Sequence, residues 1–366
     1  MSLLPNSHSL PQRPVSGNLP VPPSVPLQDS DPRVPVEVTP SNEVDLARVQ
    51  DIISRAERSY SSKLVGQQGL KTTLLVGLIA GGHVLLESLP GLAKTTAASS
   101  LADTVHASFK RIQCTPDLLP SDIIGTQIYD HESRQFETKL GPVHANFVLL
   151  DEINRSSAKT QSAMLEAMQE RQTSIGGEVY RLPKPFMVIA TQNPIEQEGT
   201  YRLPEAQLDR FLLKEIVGYP TPEEELLIMS RVDSGVLESD THVDASVSLE
   251  EVLWIQKEAG KVKISESIYK YIVNIITATR NIGEVLGSEF DKYIECGASP
   301  RASIAFMKTA RALALLQGRD YVIPDDIKAL KDVVLRHRIM VSYEAEVEGI
   351  TPEVVIEKIF EQIPTP

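Results

Sequence analysis

His83-Val84-Leu85-Leu86-Glu87-Ser88-Leu89-Pro90-Gly91-Leu92-Ala93-Lys94-Thr95-Thr96 is the stretch on which the reading of this chain turns. Val84 to Leu86 form an apolar run behind Gly81-Gly82, which predicts a buried strand. A small-residue turn follows, and Lys94-Thr95-Thr96 then opens an Ala/Ser/Leu-rich helix. Strand, loop and helix in this order make a phosphate-cradling loop, in which backbone N–H groups and the helix N-terminus hold the β- and γ-phosphates. Lys94 is expected against those phosphates, with the Thr95 hydroxyl on Mg²⁺. Laid on Ser88 to Thr95, the pattern G-x-x-x-x-G-K-[ST] finds Ser88 and Ala93 where glycines belong and keeps an inner Gly91. Alanine permits the close backbone approach at negative φ, whereas serine is disfavoured at positive φ.

The bulk properties narrow the classes. The chain has 366 residues, 42% of them hydrophobic, enough for two domains with real cores. A net charge of −13 argues against non-specific binding to a nucleic-acid backbone. Cys114 and Cys296 lie far apart and make no metal-ligand spacing, so two reduced, partly buried thiols are expected. The seven histidines include no H-x-x-x-H pair, so no zinc site is expected. No run reaches membrane-spanning length and no signal peptide is seen, which points to a cytoplasmic protein without membrane insertion.

Outward from the loop, residues 1–41 read as a disordered tail: ten of the 25 prolines fall within the first 40 residues, among Ser, Asn and Gln. From Asn42, apolar residues at helical spacing predict one helix through Val49, Ile52, Ile53 and Ala56. After a turn at Val65-Gly66-Gln67, a second helix runs through Leu70, Leu74, Leu75 and Leu78. A strand is expected at Phe109 to Gln113, and a small hairpin from Gln127 to Tyr129 and Gln135 to Thr138.

Phe147-Val148-Leu149-Leu150-Asp151-Glu152 is the second chemical stretch. Four apolar residues in a row mark a strand covered on both faces, and an acidic pair at its carboxyl end lies where open α/β sheets bind ligands. There Asp151 can hold the Mg²⁺ shell and Glu152 can polarise a water toward a γ-phosphate. A helix over Ala158 to Glu170 carries a Met/Ala stripe that reads as core packing, and Ser174 to Val179 read as a hairpin turning at Gly176-Gly177. The strand Phe186 to Ala190 ends in Thr191-Gln192-Asn193-Pro194, whose Asn193 either reaches the phosphate or caps a turn. Arg210, following Asp209, reads by itself as a surface ion pair ahead of a last strand at Leu212 to Val217.

Beyond Tyr219 the texture is helical, with a capping box at Ser248 and Glu251 and an amphipathic stretch through Ile268, Tyr271, Ile272, Ile275 and Ile276. Pro300 opens another helix with Arg301 in its first turn, either solvated or facing a phosphate.

This order of motifs resembles the AAA+ ATPases, and within them the MoxR family. The likeness rests on Gly-His-Val-Leu-Leu-Glu (82–87), Thr-Pro-Asp-Leu-Leu-Pro-Ser-Asp-Ile (115–123), Asp-Glu-Ile-Asn-Arg (151–155), Lys-Thr-Gln-Ser-Ala (159–163), Ala-Thr-Gln-Asn-Pro-Ile-Glu-Gln-Glu-Gly-Thr-Tyr (190–201) and Leu-Pro-Glu-Ala-Gln-Leu-Asp-Arg-Phe (203–211). It implies a P-loop αβα domain at 42–218 with a parallel five-stranded sheet, followed by an all-α lid at 219–366. Segment 116–140 resembles the helix-2 insert of this branch, and 173–182 its pre-sensor-1 hairpin.

By the same resemblance Lys94 and Thr95 belong to Walker A and Asp151 and Glu152 to Walker B, while Asn193 is sensor 1, Arg301 sensor 2 and Arg210 an arginine finger. The catalytic set is therefore Glu152, Asn193, Arg210 and Arg301, with Thr95 and Asp151 on Mg²⁺. ATP would be held by Val65, Gly66, Ser88, Leu89, Pro90, Gly91, Leu92, Ala93, Lys94, Thr95 and Thr96. The family usually has glycine where Ser88 stands. Implied partners are further copies of the chain in a hexameric ring and a protein client, such as one with a von Willebrand factor A domain. Hydrolysis would then drive chaperone-like remodelling of that client. A magnesium-chelatase-like subunit and an ATP-gated scaffold with little hydrolysis stay open beside this reading.

Overall fold

The computed structural model describes residues 43–89, 91–92, 94–194, 201, 203–234 and 247–366. The expected Pro-rich tail, and Pro90 and Ala93 of the loop, lie outside the described residues. Two helices lead in, α1 (Leu46–Lys63) and α2 (Gln68–Ile79), before β1 (Val84–Ser88) and α3 (Lys94–Thr104) build the strand-loop-helix unit. There follow β2 (Phe109–Gln113), α4 (Pro120–Ile124), the hairpin of β3 (Gly125–Asp130) and β4 (Gln135–Leu140), β5 (Phe147–Asp151) and α5 (Ala158–Glu170). A second hairpin, β6 (Gln172–Ile175) with β7 (Glu178–Arg181), turns through Gly176 and Gly177, both at positive φ as such a two-residue turn requires. Then come β8 (Met187–Gln192), α6 (Glu205–Leu208) and β9 (Leu213–Val217).

Five strands pair in parallel in the order β2-β5-β8-β1-β9. Strict alternation along each strand sends side chains into two cores. Phe147 and Leu149 join Val84, Leu86, Met187, Ile189 and Leu213 on one face, where α1, α2 and α3 cover them. Val148 and Leu150 join Leu85, Val188 and Ala190 on the other, against Met164, Leu165 and Met168 of α5. The continuous apolar run in β5 thus reflects burial on both faces of a parallel sheet, and the Met/Ala stripe of α5 is core packing.

After β9 the chain is mainly helical: α7 (Pro222–Asp233), α8 (Leu249–Lys261), α9 (Glu266–Arg280) and α10 (Ile282–Leu286), then α11 (Pro300–Leu316) and α12 (Pro324–Leu335), and last α13 (Tyr343–Val347) and α14 (Pro352–Gln362). The expected capping box at Ser248 and Glu251 starts α8, and Ser299 caps α11 with Pro300 in its first turn. The lid differs from an all-helical one in a two-stranded antiparallel ribbon, β10 (Ile294–Cys296) with β11 (Met340–Val341). Such short strands carry too few residues for a period-2 pattern to stand out in sequence. Asn42–Pro366 form one compact unit, and the core that covers one sheet face continues through Ile275, Phe306, Val334 and Ile356 of these helices. Among the described residues no helix is long and apolar enough to cross a membrane.

His83 pins the base of β1. Its Nδ1 accepts from the Val188 N–H at 3.0 Å, and Nε2–H donates to the Met168 carbonyl at 3.2 Å, which selects one neutral tautomer. Burial pushes its pKa down from 6.5 to about 4, with the nearby Arg171 charge acting in the same direction. The unfolded chain therefore binds a proton over that window while the folded one does not. Stability should be full above pH 6.5 and fall as the pH drops toward 4, with His83 contributing on the order of 3 kcal/mol. His337, buried and shifted in the same direction, adds to the slope. Denaturant titrations across this range should show a shallower pH dependence for His83→Asn than for the parent chain.

Candidate active site

Three neighbouring strands end at one edge of the sheet, and each delivers part of the site. β1 ends in Ser88 and passes into the loop before Lys94, β5 ends in Asp151, and β8 ends one residue before Asn193. Because β8 lies between β1 and β5 in parallel register, these groups emerge side by side at the carboxyl edge. Gly91 takes φ of +82°, and among the described residues no atom lies within 4 Å of where its Cβ would stand. Ser88 is buried, pairs with Val217 of β9 and is not among the residues at positive φ, so the missing glycine creates no backbone strain there. Its hydroxyl donates to the Leu89 carbonyl at 3.0 Å.

Lys94 is buried, and its Nζ donates to the Ser88 carbonyl at 3.3 Å. Among the described residues no carboxylate pairs with it. A buried ammonium with a single neutral acceptor at the mouth of α3 is a site prepared for an anion. Thr95 is half-buried and Thr96 exposed at the start of the same helix, while Leu89 is half-buried and Leu92 packs into the core. Val65 is buried, and Gly66 sits at positive φ on the turn between α1 and α2. There Gln67 N–H donates at 3.3 Å to Glu224 in the first turn of α7.

Both acids at the end of β5 are held by one buried hydroxyl. Thr191 Oγ1 donates to Asp151 Oδ1 at 2.8 Å and accepts from the Glu152 N–H at 2.8 Å. Glu152 itself adopts a left-handed backbone, φ 57° and ψ 53°, so the chain turns sharply directly after Asp151. Arg111 donates to Asp151 Oδ2 through Nη2 at 2.5 Å and Nε at 3.2 Å. Glu152 Oε2 accepts from Gln113 at 3.1 Å and Arg155 at 3.0 Å, and among the described residues Oε1 has no partner. Asn193 is buried beside them. Hard oxygen donors at Thr95 and Asp151 suit Mg²⁺, which takes one or two protein ligands and completes its shell with phosphate and water.

Thr191, Arg111 and Gln113 were not singled out by the sequence reading. Arg111 and Gln113 fall on one face of β2 by simple alternation, and only the pairing of β2 with β5, Gln113 opposite Asp151, turns that face into a neighbour of the acids. Cys114, next along, is buried and its thiol is pushed up to about 12 by desolvation, which makes it inert, whereas Cys296 is exposed.

Two expected site residues lie elsewhere. β9 begins at Leu213, where the Leu212 N–H donates to the His83 carbonyl at the base of β1. Arg210 therefore stands at the amino edge of the sheet, separated from the phosphate loop by the five residues of β1, about 16 Å of strand. Arg301 is at the same edge, with Nη1 3.9 Å from Asp209. The reading of Arg210 as half of a surface ion pair is overturned: Asp209 pairs with the buried Arg338, and among the described residues the buried Arg210 Nε has no hydrogen-bond partner.

Residues 83–213 match the family model described as "ATPase family associated with various cellular activities (AAA)", and residues 288–359 match that of the AAA lid domain. The chain is 46% identical over 330 residues to Chaperone MoxR1 of Mycobacterium tuberculosis, covering 90% of this chain and 86% of that protein. It is 44% identical over 319 residues to YeaC of Bacillus subtilis, covering 86% and 95%. The crystal structure of a Cytophaga hutchinsonii protein superposes with a TM-score of 0.82 at 47% identity, covering 88% of this chain and 97% of that one. Fold and site together define an AAA+ domain with its lid. More narrowly, the chain belongs to the MoxR family of AAA+ ATPases.

Replacing Thr191 by valine removes the hydroxyl and leaves the Glu152 N–H unsatisfied. Thr191→Val should lower the unfolding free energy by about 1–3 kcal/mol in urea titrations, and Thr191→Ser should restore most of it.

Proposed function

We propose that this chain hydrolyses ATP at the interface between copies of itself in a hexameric ring, and uses the cycle to remodel partner proteins in a chaperone-like way. One observation carries the reading. The loop, Lys94, Asp151, Glu152 and Asn193 share the carboxyl edge of the sheet, while Arg210 and Arg301 stand at the amino edge, beyond reach of the same chain's loop. Arginines so placed serve a pocket only if a second copy brings them to it.

In this mechanism the loop backbone and Lys94 hold the β- and γ-phosphates, and Thr95 and Asp151 hold Mg²⁺, which when bound neutralises charge on the phosphates. Val65 and Gly66 line the nucleotide together with residues 88–96. Glu152 orients and polarises the attacking water through Oε1, while Gln113 and Arg155 fix its other oxygen. Asn193 aligns the water or the γ-phosphate. Arg210 and Arg301 of the neighbouring copy stabilise charge on the transferring group, a contribution of roughly 10³- to 10⁵-fold when an arginine is supplied in trans. The name of the mycobacterial relative supports the chaperone part of the reading. Its client is expected to be a protein, such as one carrying a von Willebrand factor A domain.

Glu152→Gln should bind ATP in fluorescence titrations yet release phosphate at least 10²-fold more slowly, and should retain clients in pull-downs. Arg210→Ala should keep ATP binding and lose turnover. Unchanged phosphate release by Arg210→Ala would remove the trans arginine from the mechanism.

A further inference from the structure

The segment between α6 and β9 is tied to the lid by an ion-pair cluster that the fold alone does not require. Asp209 Oδ1 accepts from Arg338 Nε at 2.8 Å, and Oδ2 accepts from the Ser299 hydroxyl at 2.7 Å. That hydroxyl also accepts from the Arg301 N–H at 3.1 Å, so it joins the carboxylate to the first turn of α11. Arg338, whose side chain is 2% exposed, donates three further hydrogen bonds, to the carbonyls of Phe211 (2.6 Å), Leu212 (3.2 Å) and Val334. His337 Nε2–H donates to the Phe211 carbonyl at 3.1 Å. Arg210 lies inside this frame, between the carboxylate and the two pinned carbonyls.

We propose that Asp209 is a positioning residue that clamps the Arg210 segment to α11 and α12, so that Arg210 and Arg301 are presented as one pair to a neighbouring copy's γ-phosphate. The inference rests on the trans reading above. The unequal grip on the two arginines supports it. The contact to Arg338 is short, buried and backed by three carbonyls, so it persists. The contact to Arg301 is long at 3.9 Å, and that side chain is 49% exposed, so a polyanion can take it without disturbing the clamp. Asp209 is engaged by Arg338 and Arg301, and the adjacent Arg210 does not pair with it. Arg210 Nε is buried and adds a donor that has no partner among the described residues.

The test separates donor from acceptor subunits. Full-length Lys94→Ala chains, unable to use their own pocket, are mixed in excess with the parent chain, and ATP turnover per parent subunit is measured across ATP concentrations. Lys94→Ala donors should support their neighbours. Donors also carrying Arg210→Ala should abolish that support, and if they do not, or if no mixed assembly forms, the trans reading fails and this inference with it.

Donors also carrying Asp209→Asn should lower the neighbours' kcat at least tenfold with KM for ATP unchanged, and Asp209→Glu should recover part of it. Asp209→Asn strips Arg338 of its counter-ion and can unfold the donor. Ser299→Ala, which cuts the α11 arm together with the cap of that helix but leaves the Asp209–Arg338 pair, is therefore read in parallel and should lower kcat about threefold to tenfold. Full support by folded, assembled Ser299→Ala and Asp209→Asn donors, alongside failure of the Arg210→Ala donors, would overturn the positioning role while leaving the trans arginine in place.

Discussion

The parallel pairing of β8 between β1 and β5 is the constraint on which the rest of this molecule depends. Parallel strands ending at a common edge place whatever follows them side by side, and here the followers are a phosphate-type loop, an acidic pair and an amide. The pairing is stable because the strands are covered on both faces. Phe147, Val148, Leu149 and Leu150 are all at most 1% exposed, and each full burial of such a side chain contributes about 1.5–3 kcal/mol. A register slip by one residue would exchange the two cores and move every site residue off its edge.

Polar groups inside this apolar frame do the fine positioning. His83 fixes the base of β1 to β8 and α5, and Thr191 fixes the Asp151 carboxylate and the Glu152 backbone from the next strand. Each is fully hydrogen-bonded, which is the condition for keeping a polar side chain in such a place. Arg111 and Gln113 extend the network from the edge strand β2, so the acidic pair is held from both sides. At the opposite edge Arg338 has the same role for the segment that carries Arg210, with Asp209 as its counter-ion.

The two edges give the chain a polarity. One edge holds an anion-ready pocket with a buried lysine, and the other carries the half-buried Arg210, the exposed Arg301 and the buried Arg338 about Asp209. Surfaces of this kind are complementary between copies related by rotation, which is the geometric basis of ring assembly in the proposed function. The lid contributes to the second edge through Ser299, Arg301 and Arg338, so its core, continuous with that of the sheet domain, bears directly on where the arginines point.

Much of this was legible in the chain itself. The apolar run before Asp151-Glu152, the strand-loop-helix around Lys94, the capping boxes and the two-glycine hairpin are local patterns, set by periodicity and backbone preference, and they determined element types and their order. The linear pattern by itself paired Arg210 with Asp209 at the surface, and it was silent on Thr191, Arg111, Gln113 and Arg338. Those groups acquire meaning only from residues 39 or more positions away, brought close by strand pairing or by the docking of α11 and α12. Local propensity is written within a few residues and can be read there. Which strand lies beside which, and which buried cation needs which carboxylate, is decided by the packing of the whole core, and only the tertiary structure expresses it.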